Sequence, residues 1–293
     1  MSETILVAGG TGFTGSYTVP LLLRRGYKLR FLVRPASDTR RLEGPGVDLV
    51  SADLDEPASL EPVFAGVSGL ISMVGLHTGH AVPLVDAAVR SGVRRALFVS
   101  STSIFTRPDT PTKSFLIEAE KYIHASGLNY TILRPTMVYG AERDGNISRL
   151  IRYLARWPVL FIPGDGTCLV QPIFVEDVAG AIADAFHSSA TIGRSYNISG
   201  REPLTFNRLV DTVLSILGRK VLRFHLPVSP LVRTCKWAET RGFSFFVRAD
   251  QIERLNEDKA FTYDEAVRDF HFSSLSFETG VKRQIEGMGL GGC

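Results

Sequence analysis

The chain is poor in the residues that cross-link or metallate a small domain. It has three cysteines and six histidines in 293 residues. Cys168, Cys235 and Cys293 stand far apart with no CxxC pair, so a disulfide framework is not expected and a reducing compartment is the default. The histidines show no metal-ligand spacing, and no metal site is expected. No apolar run approaches the ~20 residues that a membrane-crossing helix needs. Strand-forming residues begin at Thr4 with no basic-then-apolar leader before them, so a soluble, cytoplasmic protein is the expectation. The net charge is only +3, too small to imply nucleic acid. There is no internal repeat and no low-complexity segment.

What remains is ordinary globular composition, 44% hydrophobic and 22% charged, enough for one large domain or somewhat more. Short apolar runs read as buried strands at 4–10, 28–34, 47–54, 69–75, 95–101 and 130–136. Helical stretches fall between most of them, at 14–26, 57–66, 78–92 and 112–126. Pro20 is the flaw in the first of these and must sit early or kink it. Strands alternating with helices imply an α/β fold, a doubly wound parallel sheet with helices on both faces. After Tyr139 the rhythm changes, with helices at 145–157 and 204–218, a strand entering a helix at 172–186, and a short strand at 195–200. The reading is a nucleotide-binding core at 1–140 and a small mixed C-terminal cap, mostly substrate region, at 141–293. The two are expected to interlock.

The loop "AGGTGFTG" (8–15) follows a strand and opens a helix. Gly10-x-Gly12-x-x-Gly15 fits the dinucleotide fingerprint, and Gly9-x-x-Gly12-x-x-Gly15 its close variant. Glycines there allow a tight turn, let backbone N–H groups reach a pyrophosphate, and bring helix close to sheet. Thr11, Phe13 and Thr14 complete the loop. It has no Gly-Lys-Ser/Thr ending, which disfavours an ATP-hydrolysing phosphate loop. The second strand ends at Val33-Arg34, where an acid would hold the ribose 2′-hydroxyl of NAD and a cation suits the 2′-phosphate of NADP. With Ser37, Arg40 and Arg41 following, Arg34 favours NADP(H) over NAD(H).

These motifs together resemble the extended and atypical short-chain dehydrogenases/reductases, which include NAD-dependent epimerases and dehydratases and NmrA-like proteins. The resemblance covers nearly the whole chain and implies a Rossmann domain with a substrate cap. "ADLDE" (52–56) is similar to the family's adenine-contacting turn, pointing to Asp53 and Leu54. "SMVG" (72–75) resembles the strand end beside the adenine ribose, with Met73, Val74 and Gly75. "FVSSTSIF" (98–105) resembles the strand carrying the catalytic serine, which puts Ser101 in that role and Ser100 against the cofactor. "TILRPTMVYG" (131–140) resembles the nicotinamide-side strand and loop, with Pro135, Thr136, Met137 and Val138. "QPIFVEDVA" (171–179), "YNISGREPLTF" (196–206) and 264–281 are similar to cap-side motifs.

One feature of the family is missing. Its active members carry Tyr-x-x-x-Lys on one helix face, where the lysine lowers the pKa of the tyrosine. None of the eight tyrosines here has a lysine four residues later. Aligning "PTKSFLIEAEKYI" (111–123) to that helix puts Thr112 at the tyrosine position, Leu116 at the lysine position and Glu120 at the usual acid, with Lys113 one turn out of place. Glu120 and Lys121 otherwise read as a solvated helix face. Among other groups, His77 lies just past the fourth strand and exchanges protons near neutral pH. Ser101 could hydrogen-bond a carbonyl, and Tyr139 could line the substrate pocket.

Arg149, Arg152 and Arg156 share a helix face, readable as an anion site or as a solvated basic face. From Arg219 to Arg248 seven Lys or Arg face one acid, Glu239, a surplus of six that leaves the rest of the chain at −3. Interleaved with Phe224, Trp237, Phe243, Phe245 and Phe246, this segment reads either as a folded cap surface or as a weak peripheral membrane or partner contact. The expectation for the whole is an atypical NADP(H)-dependent oxidoreductase or epimerase-like enzyme on a small polar or nucleotide-sugar-like substrate. The alternative is a non-catalytic NADP(H) sensor or accessory subunit that binds a regulatory partner protein.

Overall fold

The computed structural model describes residues 3–35, 37–40, 42, 44–142, 144–230, 232–233 and 257–290. The central sheet has seven strands, all parallel: β1 (Thr4–Ala8), β2 (Lys28–Val33), β3 (Val47–Ser51), β4 (Gly69–Ser72), β5 (Arg95–Val99), β6 (Tyr130–Pro135) and β11 (Arg194–Ile198). Their spatial order is β11-β6-β5-β4-β1-β2-β3. The chain runs outward from β1 through β2 to β3, then returns to the other side of β1 with β4. The sheet therefore reverses direction between β1 and β4, and the crevice at their carboxyl ends is where a doubly wound sheet takes its ligand.

Helices cover both faces, so the inner strands are apolar on both sides. Alternation along β1 sends Leu6 and Ala8 to the layer under α2 (Ala81–Arg90) and α3 (Pro111–Ala125), where Leu84, Leu116 and Ile123 meet them. Ile5 and Val7 go to the opposite layer, with Val19 and Leu22 of α1 (Phe13–Arg24) and Val178 and Ile182 of α5 (Val175–His187). This is the Rossmann α/β fold. The second half of the chain is built into it, because β11 forms the sheet edge beside β6 and α5 packs on α1.

The cap has its own core, formed by α4 (Ile147–Arg156), α6 (Phe206–Leu217) and α8 (Phe277–Gly287). Around it lie β7 (Val138–Tyr139) paired with β10 (Ile173–Phe174), β9 (Leu169–Val170) with β12 (Leu204–Thr205), and β8 (Val159–Pro163) with β13 (Leu222–Leu226). A short helix, α7 (Asp264–Phe270), returns to the core sheet, where Phe270 packs edge-on against Tyr196 of β11.

Two sequence expectations change. The helix expected at 57–66 is only a pair of single 3-10 turns, Pro57–Ser59 and Pro62–Phe64. Pro62 has no amide to continue a first turn into a second, and Gly66, at φ +73°, ends the segment. The helix expected at 78–92 splits at Gly79, at φ +82°, into a 3-10 turn, Leu76–Thr78, and α2. Pro20 sits in the interior of α1, so the Ser16 carbonyl lacks its usual amide partner there.

Candidate functional site

The glycine loop sits in the crevice between β1 and β4. Gly9 turns the chain at φ +84°, and a Cβ on it would lie 3.0 Å from the Met73 carbonyl carbon. The end of β4 thus crosses directly against the loop, and the Met73 amide donates to the Ala8 carbonyl at 2.9 Å. A Cβ on Gly10 would lie 2.6 Å from the Phe31 ring. On Gly15 it would press inside van der Waals contact of the Gly9 and Gly10 carbonyls, which is the close helix–strand approach expected of the third glycine.

Gly12 differs from the other three. Its backbone, at φ −75° and ψ 175°, suits any residue, and its Cβ would meet only the Gly9 carbonyl, at 3.2 Å. The fold does not require glycine at that position; a bound group lying over the loop would. Just beyond it the amides of Phe13, Thr14 and Gly15 open α1 with no acid in the first turn and no side-chain cap. Unsatisfied N–H groups and the positive end of the helix dipole meet there, as an anion site needs. A cleft of about 540 Å³ runs from this turn along the flank of α1, lined by Thr11, Gly12, Phe13, Ser16, Tyr17, Val19 and Pro20 and by Asp38, Leu42 and Ala141. These residues fit a dinucleotide pyrophosphate.

At the expected adenosine end, Arg34 is exposed and makes no ion pair among the described residues. Its amide donates to Ser37 Oγ at 3.2 Å, and the Ser37 amide donates to the Arg34 carbonyl at 2.9 Å, forming a compact turn. Arg40 is held by Asp38, and Arg41 lies outside the described residues. Leu54 is buried, whereas Asp53 is exposed and caps the Asp55 amide at 3.0 Å. Met73, Val74 and Gly75 line the strand end, half-buried. The His77 ring folds back over Gly75, where a Cβ would be 2.5 Å from Cε1. Sequence reasoning missed a link beside it: His80 Nε2 lies 3.0 Å from Asp55 Oδ1, and its Nδ1 lies 2.8 Å from Thr78 Oγ1. That link joins the adenine-side turn to the segment after β4.

The ends of β5 and β6 and α3 surround the place where the hydride end is expected. Thr110 caps α3, accepting from the Lys113 amide at 3.2 Å, and Lys113 Nζ pairs with Asp109 at 3.1 Å. Leu116, at the lysine position, is 1% exposed in the core, and Thr112 is half-buried. Ser101 caps the 3-10 turn Thr102–Phe105, accepting from the Ser103 amide at 3.1 Å. Ser100 is buried and donates to Glu120 Oε1 at 2.6 Å.

Glu120 does not lie on a solvated face. It is 3% exposed and takes a bidentate pair from Arg134, whose Nε lies 2.9 Å from Oε1. The Arg134 guanidinium stacks over Phe105 at 5.4 Å. Leu116, Ala119 and Ile123 share the buried stripe, and that spacing was the available signal. This Ser100–Glu120–Arg134 network ties three elements together directly behind the expected reaction centre. A second carboxylate ties down the segment after the Thr102–Phe105 turn: buried Glu257 accepts from Thr106 Oγ1 at 2.6 Å and from the Arg107 amide.

At the end of β6, Pro135 and the following Thr136 are buried, and Thr136 continues the backbone ladder to Ile198 at 3.0 Å. Met137 and Val138 are half-buried, and Val138 pairs with Ile173. Tyr139 does not line a substrate pocket. It is 1% exposed, wedged between Phe174 and Phe277, with its hydroxyl donating to the Phe277 carbonyl at 3.3 Å. Burial, with the Asp177 charge behind it, pushes the phenol pKa well above its ordinary value, the wrong direction for a proton donor. The pocket reading failed because α8, which covers the ring, comes from residues 277–287. Arg149 is exposed on α4, and Arg152, also exposed, donates to the Glu142 carbonyl at 2.7 Å. Among the described residues no group of three or more His, Cys, Asp or Glu could hold a metal ion. None of the described helices is long and apolar enough to cross a membrane.

Comparison with known proteins agrees with this geometry. An NAD(P)H-binding family model matches residues 9–152, and the NAD-dependent epimerase/dehydratase family model matches 114–199. The chain is 28% identical to the NAD(P)H azoreductase of Xenophilus azovorans, over 74% of this chain and 75% of that one. It is 24% identical to a mitochondrial NADH dehydrogenase [ubiquinone] 1 alpha subcomplex subunit 9 of Arabidopsis thaliana, over 93% and 72%. The structure of dTDP-glucose 4,6-dehydratase from Bacillus anthracis in complex with NAD superposes with a TM-score of 0.78, at 17% identity over 98% and 97% of the two chains. The chain thus carries stretches matching the NAD(P)H-binding and the NAD-dependent epimerase/dehydratase families on a seven-stranded doubly wound sheet, and its glycine loop fits a nicotinamide cofactor.

Proposed function

We propose that this chain is an NADP(H)-dependent reductase of small acceptors whose reduced form is a stabilised anion, such as quinones and the quinone-like tautomers of hydroxyazo dyes. The carrying observation is the glycine cradle standing intact while Thr112 and buried Leu116 occupy the proton-transfer positions. Bound in that cradle, the cofactor would supply the hydride. Reduction of an ordinary ketone leaves an alkoxide, which needs an acid beside it as it forms. Reduction of a quinone leaves a phenolate-like anion with a pKa of about 10, which water can protonate. A hydroxyl such as Ser101, or the imidazole of His77, is then an aid rather than a requirement. Epimerising a nucleotide sugar asks for removal of an alcohol proton, the task the absent pair serves, so that substrate class fits less well. Similarity to an azoreductase supports the acceptor class. Exposed Arg34 supports NADP over NAD.

A second reading is a non-catalytic NADP(H) sensor or accessory subunit. The observation favouring it is the similarity, over nearly the whole chain, to a subunit named for a larger dehydrogenase. The two separate in one experiment: NADPH oxidation is followed by absorbance with quinones, azo dyes, ketones and nucleotide sugars. Turnover confined to the first two, unchanged in Tyr139→Phe and lowered in Gly12→Ala at sub-saturating NADPH, is expected. Tight NADPH binding with no oxidation by any of them would leave the sensor or accessory reading.

A further inference from the structure

We propose that the cap carries a docking face for an anionic lipid surface, formed by the outer side of the parallel pair β8–β13 and the basic, aromatic corner at its start. The register sets Val159 opposite Leu222, Phe161 opposite Phe224 and Pro163 opposite Leu226. Alternation sends Leu160 and Ile162 into the cap core, at 8% and 1% exposed. The other face is apolar as well. Phe161, Leu222 and Phe224 are 56%, 66% and 49% exposed, and the two phenylalanine rings stack with centroids 5.7 Å apart. A strand face left to water normally carries polar side chains, and a contiguous exposed apolar patch marks an interaction site.

Because the strands are parallel, their starts share one corner of this face. Arg156 and Trp157 lead into β8, and Arg219 and Lys220 lead into β13, with the Leu222 amide donating to the Pro158 carbonyl at 2.8 Å. Trp157 is 53% exposed, and the Arg156 guanidinium lies 5.9 Å from its ring. Arg219 and Lys220 are exposed and make no ion pair among the described residues, whereas Arg223 is neutralised by Asp211. The corner is therefore cationic, with a tryptophan suited to the headgroup level and an apolar ladder suited to the acyl boundary beneath it. Charge selects the partner: Arg156, Arg219 and Lys220, which make no ion pair among the described residues, complement anionic lipid headgroups around an apolar face. Of the basic segment expected at 219–248, residues 231 and 234–248 lie outside the described residues, and the face rests on none of them. Sequence reading placed only half of it, because β8 joins from residues 159–163.

The test is co-sedimentation of the full chain with phosphatidylcholine vesicles, with and without phosphatidylserine, at low and at physiological salt. Binding that needs phosphatidylserine and weakens with salt is expected. Replacing Arg156, Arg219 and Lys220 by Gln, all exposed, should lower partitioning on the order of a hundredfold. Phe161→Ser with Phe224→Ser should lower it further while NADPH binding persists. No sedimentation with anionic vesicles at low salt, or equal binding to neutral ones, overturns the proposal. So does a charge-neutral variant that partitions like the parent. A concentration-dependent dimer in analytical ultracentrifugation that the two phenylalanine changes abolish would assign the face to a second copy instead.

Discussion

Gly12→Ala should leave the fold standing while weakening the cofactor. At φ −75° and ψ 175° an alanine is unstrained, and such a change gains roughly 0.4–1 kcal/mol by restricting the unfolded chain. Its Cβ would touch only the Gly9 carbonyl, at 3.2 Å, a tight contact that offsets part of that gain. Stability should therefore move by less than about 1 kcal/mol. The methyl would stand in front of the first amides of α1, where the pyrophosphate belongs, and forfeit one or two charge-assisted hydrogen bonds at about 1.5–3 kcal/mol each. NADPH affinity should fall at least about tenfold. Gly15→Ala is the contrast. Its Cβ would press on two backbone carbonyls that cannot step aside, so stability falls by roughly 1–3 kcal/mol along with binding. Thermal unfolding without cofactor, paired with calorimetric titration of NADPH, measures both. A Gly12→Ala protein that melts and binds like the parent would refute a pyrophosphate over this turn.

Three further outcomes follow from the site and its surroundings. Glu120→Ala strands the Arg134 guanidinium in a nearly closed site and should cost about 3–5 kcal/mol in urea unfolding. Glu120→Leu combined with Arg134→Met should recover most of that, and a single-variant cost below about 1 kcal/mol would deny the network its role. Arg34→Asp should lower the ratio of NADPH to NADH affinity about tenfold or more, the worth of one charge-assisted phosphate contact; an unchanged ratio removes the argument for NADP. The Asp269 carboxyl is drawn down to about 2, first by its hydrogen bond from Arg268, then by that from Tyr196, with the Arg194 charge adding. A carboxyl lowered on folding gives stability that is complete above its unfolded value of about 3.9 and fades as the pH falls toward about 2. Asp269→Asn should flatten that part of the acid-unfolding curve, and superimposable curves would refute the assignment.

The shape of the glycine loop was readable in sequence because its requirements are local. Gly9, Gly12 and Gly15 follow a strand within a few residues, and Arg34 directly follows the next one. What was not readable depends on partners far along the chain. Tyr139 resembles a pocket residue until Phe277 and Phe174 enclose it, and Glu257 reaches Thr106 across about half the chain. Glu120 lies between these cases. Its stripe with Leu116, Ala119 and Ile123 was present at helical spacing, but a carboxylate in that stripe reads as surface until its arginine is found on β6. The failed helix at 57–66 carried its own warning in Pro57 and Pro62.

The place of β11 in the central sheet also bears on how the chain can be made. Its five residues, Arg194–Ile198, close the open edge of β6, and α5 covers α1 from the same half of the chain. During synthesis the dinucleotide-binding half is therefore complete in sequence well before it is complete in structure. A ribosome that has released residues 1–140 presents a sheet with an unpaired edge and a bare helix face, surfaces that invite pairing with other chains. Cofactor binding, which needs the crevice held firm, should appear only once roughly two-thirds of the chain has emerged, making late docking of β11 the step most exposed to misassembly.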